Sequence, residues 1–188
     1  MSPRRTTGES TAPTAPAASR RRFRAGDILV ACDNVSGYEP GYMGHSAIVV
    51  KETELVESPG GHPAIRRDTV QQFLDLHPLH IQFRPRSATM GREAAGYALD
   101  YLAGYERNLQ SGIEKPVFSF DLSSPLDDPW TKIYCSKLVW LCYHFGADYT
   151  FPNDHLWFSP EDLYRVLSQD PLFAEVYRHP EFQFKYDS

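Results

Sequence analysis

The run Tyr134-Cys135-Ser136-Lys137-Leu138-Val139-Trp140-Leu141-Cys142-Tyr143 decides how this chain is read. Cys135, Leu138, Val139 and Cys142 share one helical face by their i, i+3, i+4, i+7 spacing. The pattern predicts a helix over 131–145, closed by Gly146 as a C-cap. Cys135 then lies near its first turn. Unsatisfied N–H groups and the positive end of the helix dipole favour a thiolate there, and the thiolate is the nucleophilic form of cysteine. Taken alone, the position suits a small buried packing residue equally well.

Working outward, Gly44-His45-Ser46-Ala47-Ile48-Val49-Val50 puts a histidine at the mouth of a strand over 45–51. A tight polar turn leads to a second strand over 53–58, so the two form a hairpin carrying Glu57. Thiol, imidazole and carboxylate make a stronger case together than singly. Glu57 would orient His45 and favour its charged form, which in turn lowers the thiol pKa. Cys142, deep in the helix, reads as an inert packing thiol. Cys32, at the end of an apolar strand, is the rival nucleophile but has no helix N-terminus beside it.

The remaining organisation is that of a mixed α+β domain. Residues 1–24, rich in Ser, Thr, Pro, Ala and Arg, read as a disordered basic tail, and 25–188 as one domain. Strands are expected at 26–32, 80–84 and 173–178, and a loop at 33–43. A short helix is expected at 69–76, a long one at 89–107, irregular chain over 108–130, and a last helix capped by Ser159 with Pro160 in its first turn.

The net charge of −5 is unevenly spread: six arginines against Glu9 give residues 1–24 a charge of +5, leaving −10 for the rest. An acidic body argues against a nucleic-acid partner. No apolar run approaches the ~18–20 residues needed to span a bilayer. Three cysteines without framework spacing indicate a reduced, cytoplasmic protein. The twin-arginine-like run Ser19-Arg20-Arg21-Arg22-Phe23 lacks the apolar stretch that an export signal requires. His77 and His80 have metal-like proximity, but Pro78 between them opposes a shared helical face and no third ligand is apparent. His62, His144, His155 and His179 read as surface or packing residues.

Four motifs in order, Gly26-Asp27-Ile28-Leu29, Gly44-His45-Ser46-Ala47-Ile48-Val49, Leu55-Val56-Glu57-Ser58 and Tyr134-Cys135-Ser136-Lys137-Leu138-Val139-Trp140, resemble the permuted branch of the NlpC/P60 papain-like hydrolases, the YiiX/YaeF-like amidases. Ser159-Pro160-Glu161-Asp162-Leu163 fits the same pattern, and the histidine precedes the cysteine as permutation requires. The resemblance implies a small antiparallel sheet or half-barrel packed on the cysteine helix. It also implies a triad of Cys135 as nucleophile, His45 as base and acid, and Glu57 as orienting residue, with no metal or organic cofactor. The Cys135 N–H would donate to the oxyanion, and Tyr38, Tyr42 and Tyr134 are candidates for further oxyanion or substrate contacts. Cell-wall-derived peptides are the first implied substrate, with other small peptides, amides or lipids as alternatives. A lipid acyltransferase or thioesterase of the same fold, or a binding module that keeps the cleft without catalysis, are the competing functions.

Overall fold

In the computed structural model of this chain the described residues are 21–33, 39–121, 123–153 and 157–185. Strands β1 (Ile28–Ala31), β2 (His45–Lys51), β3 (Glu54–Glu57) and β4 (Arg66–Thr69) lead into helix α1 (Val70–Leu76) and strand β5 (His80–Pro85). The long helix α2 (Ala88–Gln110) follows. A strap then carries the short strands β6 (Val117–Phe118) and β7 (Lys132–Ile133) to helix α3 (Cys135–Leu141), which runs on as a π turn over Cys142–Gly146. Helix α4 (Pro160–Gln169) and strand β8 (Phe173–Arg178) complete the chain. The main sheet has the order β4-β3-β2-β1-β5-β8 with every neighbour antiparallel, while β6 and β7 pair in parallel.

Side-chain alternation sorts the central strands onto two covered faces. Ile28, Val30, Ile48, Val50, Val56, Ile81 and Phe83 pack with buried residues of α2, α3 and α4. Leu29, Ala31, Ala47, Val49 and Leu55 pack under Val70 and Phe73 of α1 and under Phe23. Cover on both sides explains why β1 and β2 read as nearly unbroken apolar runs. A mixed α+β fold with an antiparallel sheet is what the sequence led us to expect.

Three expectations are corrected. The cysteine helix does not begin at 131: Lys132 and Ile133 are extended because they pair with Val117 and Phe118. Tyr134 becomes the N-cap and Cys135 the first helical residue. Gly146 is no C-cap with left-handed backbone but lies within the π turn; a Cβ there would meet Glu93 O at 2.7 Å and Tyr97 Cβ at 2.8 Å, so it permits close approach of α2. Arg21 to Arg24, expected as the end of a free tail, lie on the sheet, with Phe23 buried and the Arg22 carbonyl accepting from Gln82 and Arg84.

Close backbone approach also defines the start of the sheet. Gly26 has φ +88°, and a Cβ on it would sit 2.2 Å from Gly91 Cα of α2. Gly26→Ala is expected to cost about 2–4 kcal/mol through left-handed strain and overpacking, read as a lower urea midpoint at unchanged slope.

Candidate active site

Antiparallel pairing brings three strand termini to one end of the sheet. His45 opens β2, Glu57 closes β3, and Arg66 opens β4 directly opposite Glu57. Gly44 sets the entry to β2 with φ +75°; a Cβ there would strike Ala31 O at 2.3 Å. Cys135, first residue of α3, reaches the same end from the helical face. His45, Glu57, Arg66 and Cys135 all line one cleft of about 320 Å³.

Glu57 is 4% exposed, so its charge must be matched locally. His45 Nε2 bonds Oε2 at 2.6 Å, while Arg66 Nε and Nη2 reach Oε1 at 2.8 and 2.7 Å. Arg66 Nη2 also meets Asp68 at 3.1 Å. Burial opposes the Glu57 charge, but the bonds and charges of His45 and Arg66 prevail and lower its pKa to about 2. With Nε2 committed to Glu57, Nδ1 is the ring nitrogen left for sulfur. Burial disfavours the imidazolium, yet hydrogen bonds and charge from Cys135 and Glu57 raise the His45 pKa to about 10. Burial likewise disfavours the Cys135 thiolate, and its hydrogen bond to His45, the charge on that ring and contacts with Ser46 bring its pKa below the ordinary thiol range. Both shifts favour the thiolate and imidazolium forms of the pair.

The ring is clamped as well as charged. Phe73 stacks on His45 at 5.7 Å between centroids and His77 at 4.9 Å, and His77 Nδ1 faces Asp33 at 3.3 Å. His80 turns elsewhere: its Nδ1 donates to the His77 carbonyl at 2.8 Å and its Nε2 accepts from Arg21. Burial and the Arg21 charge hold the His80 pKa down at about 4. The two histidines thus serve separate contacts, one beside the site and one under the N-terminal segment. Among the described residues no three His, Cys, Asp or Glu side chains are grouped to hold a metal ion.

The other cysteines have no such surroundings. Cys32 is fully buried and donates to Leu79 O at 3.5 Å, and burial raises its pKa. Burial pushes the Cys142 thiol far up. Tyr42 is 42% exposed, with the Lys185 ammonium 5.1 Å from its ring centre, and is not part of the cleft wall. The Tyr134 hydroxyl accepts from Phe158 N–H at 3.3 Å, and its ring packs near Phe120 and Trp157. Tyr38 and His155 lie outside the described residues.

Sequence reading gave no site role to Arg66, Ser46, Ser58 and Phe73, and weighed His77 only as a metal ligand. Arg66 sits in β4, whose sequence Arg66-Arg67-Asp68-Thr69 carries no apolar alternation; its visible signal is pairing potential with Glu57 across the hairpin. Ser46 and Ser58 are 0% and 1% exposed, and neither hydroxyl has a hydrogen-bond partner among the described residues. An orphaned buried hydroxyl costs about 1–3 kcal/mol. Ser58 lines the cleft, and extending the Ile48–Val56 pairing by two residues brings it opposite Ser46. The rest of the lining is largely apolar, including Met43, Phe73 and Leu76. Phe118 and Phe120 come from the strap, the segment that had no assigned role in the sequence. Lys137 fastens that strap to α3, its buried Nζ donating to Ser124 Oγ and Pro125 O.

No family model matches this chain, and no curated protein matches it. Among solved structures, it is similar to the metalloprotein yiiX from Escherichia coli O157:H7, with a TM-score of 0.55 and 14% identity over 83% of this chain and 97% of that one. The likeness shows a shared fold.

Because the imidazolium favours the thiolate, iodoacetamide should modify Cys135 rapidly at pH values well below the ~8.5 of a free thiol. His45→Ala should move that reactivity up into the ordinary thiol range, and Glu57→Gln should move it part of the way. Mass spectrometry of the three cysteine peptides reads the result; equal slow labelling of all three contradicts it.

Proposed function

We propose that this chain is a cysteine hydrolase of the permuted NlpC/P60 papain-like kind, acting on an amide or ester. The observation that supports it best is the single imidazole bonded to a buried carboxylate on one side and coupled to a cysteine thiol on the other, facing a cleft. A module that only binds has no need of a thiolate–imidazolium pair.

The thiolate attacks the substrate carbonyl, forming the carbon–sulfur bond and placing negative charge on oxygen. Cys135 N–H and the Ser58 hydroxyl, both on the cleft wall, are candidate donors to that oxygen alongside the tyrosines expected from sequence. As the tetrahedral intermediate collapses, His45 passes its proton to the departing amine or alkoxide, leaving a thioester and neutral imidazole. His45 then takes a proton from water as the water attacks the thioester. The carboxylic acid leaves and the thiolate–imidazolium pair is restored. Glu57, held in turn by Arg66, keeps the ring oriented in both half-reactions.

The cleft wall bears on the substrate. Phe73, Leu76, Phe118, Phe120 and Met43 offer apolar surface, whereas Glu57, Arg66 and Asp68 are already paired with one another. Free charges on a wall-derived peptide would find few open partners there. An apolar acyl group suits the lining better, and the same acyl-enzyme supports either hydrolysis or transfer to an amine or alcohol.

Incubation with p-nitrophenyl esters of increasing acyl length should give a burst of nitrophenol and an acyl adduct on Cys135, favouring the longer chains. Cys135→Ala should abolish the burst. With an amide substrate, whose amine leaves only when protonated, turnover should decline as pH rises through about 10, where the imidazolium that supplies the proton is lost. A wild-type protein that takes no acyl group from ester or amide would end this reading.

A further inference from the structure

His77 closes α1 as its C-cap, its N–H donating to the Phe73 carbonyl at 2.8 Å. The residue is buried, and it forms part of the cleft wall beside His45. Stacking on His45 occupies one face of its ring and neither of its nitrogens. Nδ1 meets Asp33 Oδ1 at 3.3 Å, and Asp33 Oδ2 is fixed by the Leu79 N–H at 2.9 Å. A carboxylate accepts and does not donate, so in the neutral ring Nδ1 carries the hydrogen and Nε2 bears the lone pair. Among the described residues none donates to that lone pair, and Nε2 is not one of the unpartnered atoms sealed inside the protein. It opens on the cleft that its residue lines. The other acceptors on this wall are engaged: Glu57 and Asp68 are held by Arg66, and His45 Nε2 is bonded to Glu57.

We propose that His77 Nε2 is the second contact of the acyl acceptor, holding the acceptor hydrogen that is not transferred to His45. The assignment rests on the hydrolase reading and names the class of acceptor that its cleft favours. After the leaving group has departed, His45 is neutral and a water lies between the two imidazoles. One O–H points to His45 and the other to His77 Nε2. The water oxygen attacks the thioester carbon, the carbon–sulfur bond breaks, and its electron pair returns to Cys135. His45 takes one proton, while the hydrogen held by His77 stays on the oxygen of the carboxylic acid.

The dimensions agree with this. Two hydrogen bonds of about 2.8 Å from one water, at its near-tetrahedral angle, span about 4.5 Å. The two ring centroids are 4.9 Å apart, with 30° between the ring planes. A primary amine likewise brings two hydrogens and satisfies both rings. An alcohol brings one, which His45 must take, and it leaves Nε2 unmet. The cleft therefore favours water and primary amines over alcohols as acceptors.

Partition of the acyl-enzyme tests the assignment. The full chain is acylated with p-nitrophenyl hexanoate in the presence of glycinamide or of its hydroxyl counterpart, glycolamide. Nitrophenol, hexanoic acid, amide and ester are measured separately. His77→Phe keeps an aromatic ring against His45 and removes both nitrogens. It is expected to slow hydrolysis and transfer to glycinamide about tenfold, with much smaller effects on the nitrophenol burst and on transfer to glycolamide. His77→Gln, whose amide can donate to Asp33 and accept from the acceptor, should recover most of the loss. His77→Met serves if the phenylalanine variant does not fold. Loss of the clamp alone would slow the burst and all three acceptors alike. That result, or hydrolysis and amine transfer that do not slow, overturns the role of His77 and leaves the hydrolase. A wild-type chain that takes no acyl group removes both.

Discussion

A carboxylate almost closed to water has to be neutralised where it stands, and Glu57 divides this need between two neighbours. One oxygen takes His45 from the strand on one side, the other takes Arg66 from the strand on the other side. The arrangement ties chemistry to sheet register. A slip of one residue between β2 and β3, or between β3 and β4, would send Glu57 to the opposite face and leave a buried charge unpaired. The short central strand is therefore held in place by the same contacts that orient the imidazole.

In the proposed resting state charge alternates outward from the sulfur: the Cys135 thiolate, the His45 imidazolium, the Glu57 carboxylate, the Arg66 guanidinium and the Asp68 carboxylate. Alternation matters more than any single pair, because each member is favoured by neighbours of opposite sign. Removing Arg66 would raise the Glu57 pKa and leave Oε1 without its guanidinium partner, loosening the carboxylate that orients the ring. The aromatic clamp of Phe73 and His77 adds shape to this charge order by limiting rotation of the His45 ring.

Much of this was legible in the sequence where local pattern and tertiary context agree. The apolar runs of β1 and β2, the Ser159 cap and the long helix obey short-range rules, and the histidine, carboxylate and cysteine stand in motifs with ordinary local signals. What escaped was set by pairing. Arg66 lies in an edge strand of alternating burial but wholly polar composition, so no hydrophobic period announces it. Lys132 and Ile133 continue the helical pattern of the residues after them, yet become extended because Val117 and Phe118 lie alongside. Ser46 looks like any small strand residue until its hydroxyl is found buried without a hydrogen-bond partner among the described residues.

In the proposed reaction, the strap between α2 and α3 would connect these electrostatics to the choice of acyl acceptor. Phe118 and Phe120 wall the cleft above charges that strengthen as water is excluded. Hydrolysis of a thioester nevertheless needs one water to reach it. Phe120 remains 38% exposed and packs edge-on against Phe118 and Trp157, so the wall is built of large rings with one side open to solvent. A bound apolar chain would complete that wall and shed water from the thioester, leaving the open side as the route by which the acceptor arrives. In the proposed reaction, hydrolysis and acyl transfer would then differ not in the triad but in what the strap admits, and the anchor of that strap is Lys137, in the first turn of the helix that begins at Cys135.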